Sequence, residues 1–109
     1  GLRGKHSNDN LYIDDYEKLK ETLTKKYGKP KFDKVTWDDD LYKDDRSHWG
    51  FAVSLGHLDY FSSWETSTTY ISLRLNGDNY KISLVIAYES RELEEWVKRI
   101  EEEKAKSKF

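Results

Sequence analysis

The sequence predicts an α+β domain: a two-layer sandwich of a four- or five-stranded antiparallel meander sheet, with N- and C-terminal helices on its apolar face. Three observations carry this. Apolar residues recur at helical spacing near the start, they do so again near the end, and between the two the pattern switches to strict alternation broken by Gly- and Asn-containing turns.

Gly1 to Asn10 is polar and without apolar periodicity, as expected of a disordered leader. At 109 residues the chain is long enough for one core and too short for two, so residues 11–109 are read as a single domain. From Leu11 to Tyr27, the residues Tyr12, Tyr16, Leu19, Leu23 and Tyr27 fall three or four apart, which predicts a helix with one apolar stripe. Asp14 and Glu17 have capping-box spacing, so the regular helix is expected to begin there. Gly28 and Pro30 terminate it, with Lys25 and Lys26 near its negative end.

Lys34 to Trp37 reads as a short strand with Val35 and Trp37 on one face, and Asp38 to Asp45 as an acidic loop. Trp49, Phe51, Val53 and Leu55 then alternate. Across Gly56-His57 so do Leu58, Tyr60 and Trp64, which predicts a hairpin pairing Leu55 with Leu58, Val53 with Tyr60, and Trp49 with Trp64. A turn at Thr66-Ser67 places Asp59 opposite Arg74. Ile71, Leu73 and Leu75 lead to a turn at Asn76-Gly77, and Tyr80, Ile82, Leu84 and Ile86 return from it. Ser90 is a cap for a last helix, in which Leu93, Trp96, Val97 and Ile100 form the core-facing stripe. Beyond Glu101 the pattern turns charged and is expected to project or fray.

Composition limits the functional classes. With 19 basic and 21 acidic residues the formal net charge is −2, which leaves no broad positive field for nucleic acid. There is no Cys, so disulfides, thiolate nucleophiles and thiolate metal sites are excluded. No apolar run approaches the roughly 20 residues of a membrane-spanning helix. The first residue is not Met, which predicts that a natural start, a signal peptide, a lipid-anchored Cys or a tag lay upstream.

The run Tyr16 to Pro30 (YEKLKETLTKKYGKP), with WET at Trp64 to Thr66 and GDNYKISLVIAY at Gly77 to Tyr88, resembles small uncharacterised bacterial exported proteins. In these a helix with a KYG-x-P stop precedes a β-meander and a final helix. The resemblance implies export to the periplasm, cell surface or medium, and carries no activity with it.

No spacing of residues demands a particular chemistry. Reading Asp38 as the first ligand of a calcium loop puts Lys43 where Gly is needed and Trp49 where the bidentate Glu belongs, so the acidic segment is read as a solvated loop. His6, His48 and His57 have no metal-ligand spacing, and a shared site would need loops from different ends of the domain to converge. No nucleophile elbow is present, and no Ser is tied by local spacing to a base. No cofactor or metal is therefore expected, and the chain is read as a non-enzymatic interaction domain of a bacterial envelope or secreted protein, with a protein or a surface polymer as partner. Two alternatives stand beside this reading: an immunity-type or inhibitor protein that blocks a protein partner with acidic side chains, and a hydrolase with a scattered site. The candidate surface is the sheet face opposite the helices, expected to carry Ala52, Ser54, Asp59, Phe61, Ser63, Tyr70, Ser72, Arg74, Lys81, Ser83 and Val85. Of these, Phe61, Ser63, Tyr70, Ser72 and Arg74 are the candidate binding residues, and self-association through this face is one expected use of it.

Overall fold

A computed structural model describes residues 8–107. Helix α1 spans Asn10–Tyr27. It begins ahead of the expected capping box: Asp14 lies inside it, and Asn8 Oδ1 accepts the Asn10 N–H at 2.9 Å. The end of the expected leader is thus part of the fold, whereas residues 1–7 lie outside the described residues. Gly28 stops the helix at φ 91°, a backbone angle that disfavours any side chain. Tyr16 and Leu23 are buried on the expected stripe, with Tyr12, Leu19 and Tyr27 packed beside them, and Ile13, which the expected stripe did not include, is buried as well.

Strand β1 (Phe32–Trp37), β2 (Leu58–Glu65), β3 (Thr69–Asp78) and β4 (Lys81–Ser90) form one antiparallel sheet in the order β1-β2-β3-β4. One face carries Tyr60, Trp64, Ile71, Leu73 and Leu75, all buried under α1. Leu73, Ile82 and Leu84 point to this face, as the alternation requires.

The segment read as the first strand of a hairpin is instead helical: α2 spans Trp49–Ser54, after a 3-10 turn at Arg46–His48. Short apolar runs alternate and coil equally well, and two contacts decide for the helix. Asp45 accepts the Ser47 N–H to start the turn, and Gly50 abuts α1 so closely that a Cβ there would lie 2.2 Å from the Asp9 carbonyl carbon. Asn10 joins the two helix starts, accepting the Gly50 N–H at 2.6 Å and donating to the Ser47 carbonyl at 3.0 Å. The expected pairs of Trp49, Val53 and Leu55 with β2 therefore do not form. Strand β1 takes that place, with Val35 opposite Tyr60 and Trp37 opposite Leu58, and Trp49 meets the Trp37 ring edge-on at 5.5 Å.

Both remaining turns are displaced from their expected positions. The β2–β3 link is a loop rather than a two-residue turn: Thr66 Oγ1 accepts the N–H groups of Thr68 and Thr69, and Glu65 pairs with Tyr70. Arg74 then faces Phe61 and reaches Asp59 diagonally. The β3–β4 turn is at Asn79-Tyr80, both with positive φ (51° and 67°), and not at Asn76-Gly77. Gly77 serves a different purpose, since a Cβ on it would sit 2.3 Å from the Val53 carbonyl oxygen at the end of α2.

Helix α3 (Arg91–Ser107) follows β4 with no linker, and Ser90 Oγ caps it by accepting the Leu93 N–H at 3.2 Å. Its stripe does not join the core as expected. Leu93, Trp96 and Val97 are 58%, 54% and 41% exposed. The reason is geometric: the helix starts where the strand ends, and the junction is fixed by Arg91, whose N–H and guanidinium donate to the Thr68 and Thr66 carbonyls at 2.9 Å each. A reversal onto its own sheet would need a turn that the sequence does not supply.

Candidate functional site

Alternation in the strands places Phe61, Ser63, Tyr70, Ser72 and Arg74 together on the face opposite α1, as the sequence predicts. Ala52 and Ser54, assigned to the same face, are instead buried in α2. The two central rows across this sheet face run Phe32–Ser63–Ser72–Ala87 and Lys34–Phe61–Arg74–Val85. Ser63 and Ser72 form a floor of small side chains, and Ser63 is only 3% exposed. Phe32 and Phe61 stand over it edge to face, 5.8 Å apart, while half of Phe32 and half of Val85 face solvent. Arg74 is held by Asp59 through Nη2–Oδ2 at 2.7 Å, with its Nε 3.4 Å from Oδ1. That pairing raises the Arg74 pKa above its ordinary value.

Behind the sheet, a polar chain ties the layers together. The buried Tyr16 hydroxyl donates to Ser62 Oγ at 2.5 Å, Ser62 donates on to Asp33 at 3.0 Å, and Lys20 closes on the same carboxylate at 2.5 Å. Burial raises the Tyr16 pKa to about 12, against the opposing pull of the Ser62 hydrogen bond. The chain of contacts from Tyr16 through Ser62 to Asp33 brackets α1 to the sheet.

The acidic loop holds an arrangement that the sequence reading did not expect. Tyr42 stacks on both His48 (5.3 Å between centroids, 15° between planes) and His57 (6.2 Å, 20°), so the two imidazoles lie in one region of the domain, each against the same ring. The strand-to-helix change at 49–54 is what brings them to one end of the domain. Asp45 lies 2.6 Å from His48 Nδ1, and Asp39 lies 3.9 Å from His57 Nε2. Hydrogen bonds from Ser47 and then His48 hold the Asp45 carboxyl below the usual carboxylate range. Asp, Ser and His therefore meet within one turn, but Ser47 Oγ is 3.2 Å from the same Nδ1 that Asp45 occupies. A catalytic triad needs the hydroxyl on the opposite ring nitrogen, so this geometry braces a turn and does not activate a nucleophile. Among the described residues, no three His, Cys, Asp or Glu side chains converge as metal ligands. No described helix is long and apolar enough to cross a membrane.

Comparison of the chain with protein-family models, with curated proteins and with solved structures gives no match.

The largest departure from an ordinary domain surface is α3. Its apolar residues sit at i, i+3, i+4 and i+7 (Leu93, Trp96, Val97, Ile100), the spacing with which a helix fills a groove on a partner. At 100° per residue, Glu92, Glu94, Glu101 and Glu103 flank this stripe against only Arg99 and Lys104. The sequence pattern contained the stripe. Its exposure follows from the direct β4–α3 junction, which periodicity does not encode.

Proposed function

We infer that the chain is a non-enzymatic interaction domain, and that α3 is the element it presents to a protein partner. The exposed stripe carries the reading: three large apolar side chains, one of them Trp, face solvent on one side of a capped helix outside the core. Trp dominates the energetics of protein contacts, and an apolar stripe of this kind otherwise costs solubility without return. The resemblance of residues 16–30, 64–66 and 77–88 to bacterial exported proteins supports an envelope or secreted setting for that contact.

A photo-crosslinking amino acid placed at Trp96 tests the reading in cells of the source organism, with the exposed Thr22 on α1 as control. Discrete adducts are expected from position 96 and none from position 22. Equal labelling from the two positions, or none from either, would remove α3 as the working surface.

A further inference from the structure

We propose that the free edge of the sheet at β4 pairs antiparallel with β4 of a second copy of this chain, about a two-fold axis at Val85, joining the two sheets into one. This contact is separate from the α3 stripe and stands or falls without it.

The two edges of the sheet differ. Strand β1 is six residues long and carries charges in its interior, Asp33 and Lys34, which blunt an edge against pairing. Strand β4 is ten residues long, is charged only near its ends at Lys81 and Glu89, and contains no Pro. Its register with β3 runs unbroken from Lys81 to Ser90, so no bulge bends it away. Among the described residues nothing pairs with its outer side. The core is open along the same line: Ile71, Leu73 and Leu75 of β3 are fully buried, whereas their partners Tyr88, Ile86 and Leu84 on β4 are only partly covered. Both bonds of Arg91 at the start of α3 run toward the β2–β3 loop and not toward the free edge.

Backbone direction fixes which residues can pair. The Arg91 N–H donates to the Thr68 carbonyl, and a two-residue turn with positive φ at Asn79 and Tyr80 closes with the Lys81 N–H on Asp78. The odd-numbered residues of β4 therefore bond to β3, and the peptide groups of Ile82, Leu84, Ile86 and Tyr88 point to the free edge. A two-fold axis at Val85 sets Leu84 against Ile86 of the second copy and Ile82 against its Tyr88. All four have outward peptide groups, so the ladder is satisfied and apolar side chains meet on the core side. The closer, non-hydrogen-bonded positions fall between them: Val85 meets Val85, Ser83 meets Ala87, and Lys81 meets Glu89. Opposite charges thus meet at both ends of the contact. Moving the axis to Leu84 or Ile86 keeps the bonding pattern but separates Lys81 from Glu89. This self-complementarity is what a two-fold contact requires, and it favours a second copy over an unrelated strand.

The chain lacks Cys, so introduced cysteines report the register without background. Val85→Cys should trap a disulfide dimer under mild oxidation, since the Cα atoms of a non-hydrogen-bonded pair lie about 4.5 Å apart, within disulfide reach. Ser83→Cys and Ala87→Cys should each stay monomeric alone and crosslink when mixed. In sedimentation velocity at up to about 500 µM the parent chain is expected to dimerise, and Val85→Lys, at a position half exposed in the monomer, should weaken association about tenfold or more. Lys81→Glu should weaken it as well, and adding Glu89→Lys should restore it. A monomer at every concentration would overturn the proposal, as would crosslinking of Ser83→Cys alone as fast as Val85→Cys. So would a dimer that survives Val85→Lys, and its loss on Trp96→Ser would then assign the contact to α3.

Discussion

Replacing Tyr16 by Phe and Ser62 by Ala, singly and together, measures the bracket that holds α1 to the sheet. Tyr16→Phe removes one buried hydrogen bond while Ser62 still donates to Asp33, so the loss should be about 1–1.5 kcal/mol. Ser62→Ala is costlier, about 2–3 kcal/mol, because it strands the Tyr16 hydroxyl in a site 1% exposed and takes a donor from Asp33. In the double variant no hydroxyl is stranded. Its destabilisation should therefore fall short of the sum by about 1 kcal/mol, the coupling expected for two groups in direct contact. Urea unfolding at constant m-value reads all three numbers, and each kcal/mol corresponds to roughly 4–8 °C in Tm for a domain of this size. Strict additivity, with coupling below about 0.3 kcal/mol, would mean that the hydroxyls do not interact and that the packing of α1 has another basis.

Three further outcomes follow from the same packing. Gly77→Ala should cost about 2–4 kcal/mol, since the new methyl meets the Val53 carbonyl at 2.3 Å, whereas Gly28→Ala, with open space around it and φ of 91°, should cost about 1 kcal/mol; equal thermal shifts would contradict the role given to Gly77. Tyr80→Gly should stabilise by about 0.5–1 kcal/mol in thermal melts by relieving a Tyr at φ 67°, and a lower Tm would show that its contact with Phe51 outweighs the strain. Burial raises Tyr16 and Tyr60 from 10.0 to about 12, so both remain neutral in the folded state when they would ionise unfolded. The stabilisation is complete below pH 10 and is lost as pH rises toward 12, about 2–3 kcal/mol for each ring; a flat urea midpoint from pH 9 to 11.5 would refute the burial of these hydroxyls.

Much of the fold was legible because several local signals agreed. In α1 the stripe and the Gly28 stop point to the same end, although the start lies ahead of the expected Asp14, and in β2 to β4 alternation alone sorts Leu73 and Leu84 from Ser72 and Ser83. The stretch from Trp49 to Ser54 was not legible: its large residues alternate as in a strand, and what makes it a helix is the fit of Gly50 against the start of α1, a contact 40 residues away in sequence. Gly77 misled in a similar way. Asn-Gly favours a tight turn, but the glycine is required for the close approach of α2, and the turn passes to Asn79-Tyr80 at the cost of a Tyr with positive φ. The five candidate residues of the open face were placed together by period-two alternation. The second surface was hidden because a helical stripe states that it must be covered without stating by what.

The central claim is that Leu93, Trp96 and Val97 lie outside the core, and unfolding of the Leu93→Ser, Trp96→Ser, Val97→Ser triple variant in dilute solution tests it most directly. The account predicts an unfolding free energy within about 1 kcal/mol of the parent chain, since the three side chains bury little in the monomer. A loss of more than about 4 kcal/mol would place the stripe in the core and contradict its assignment as a surface for a partner.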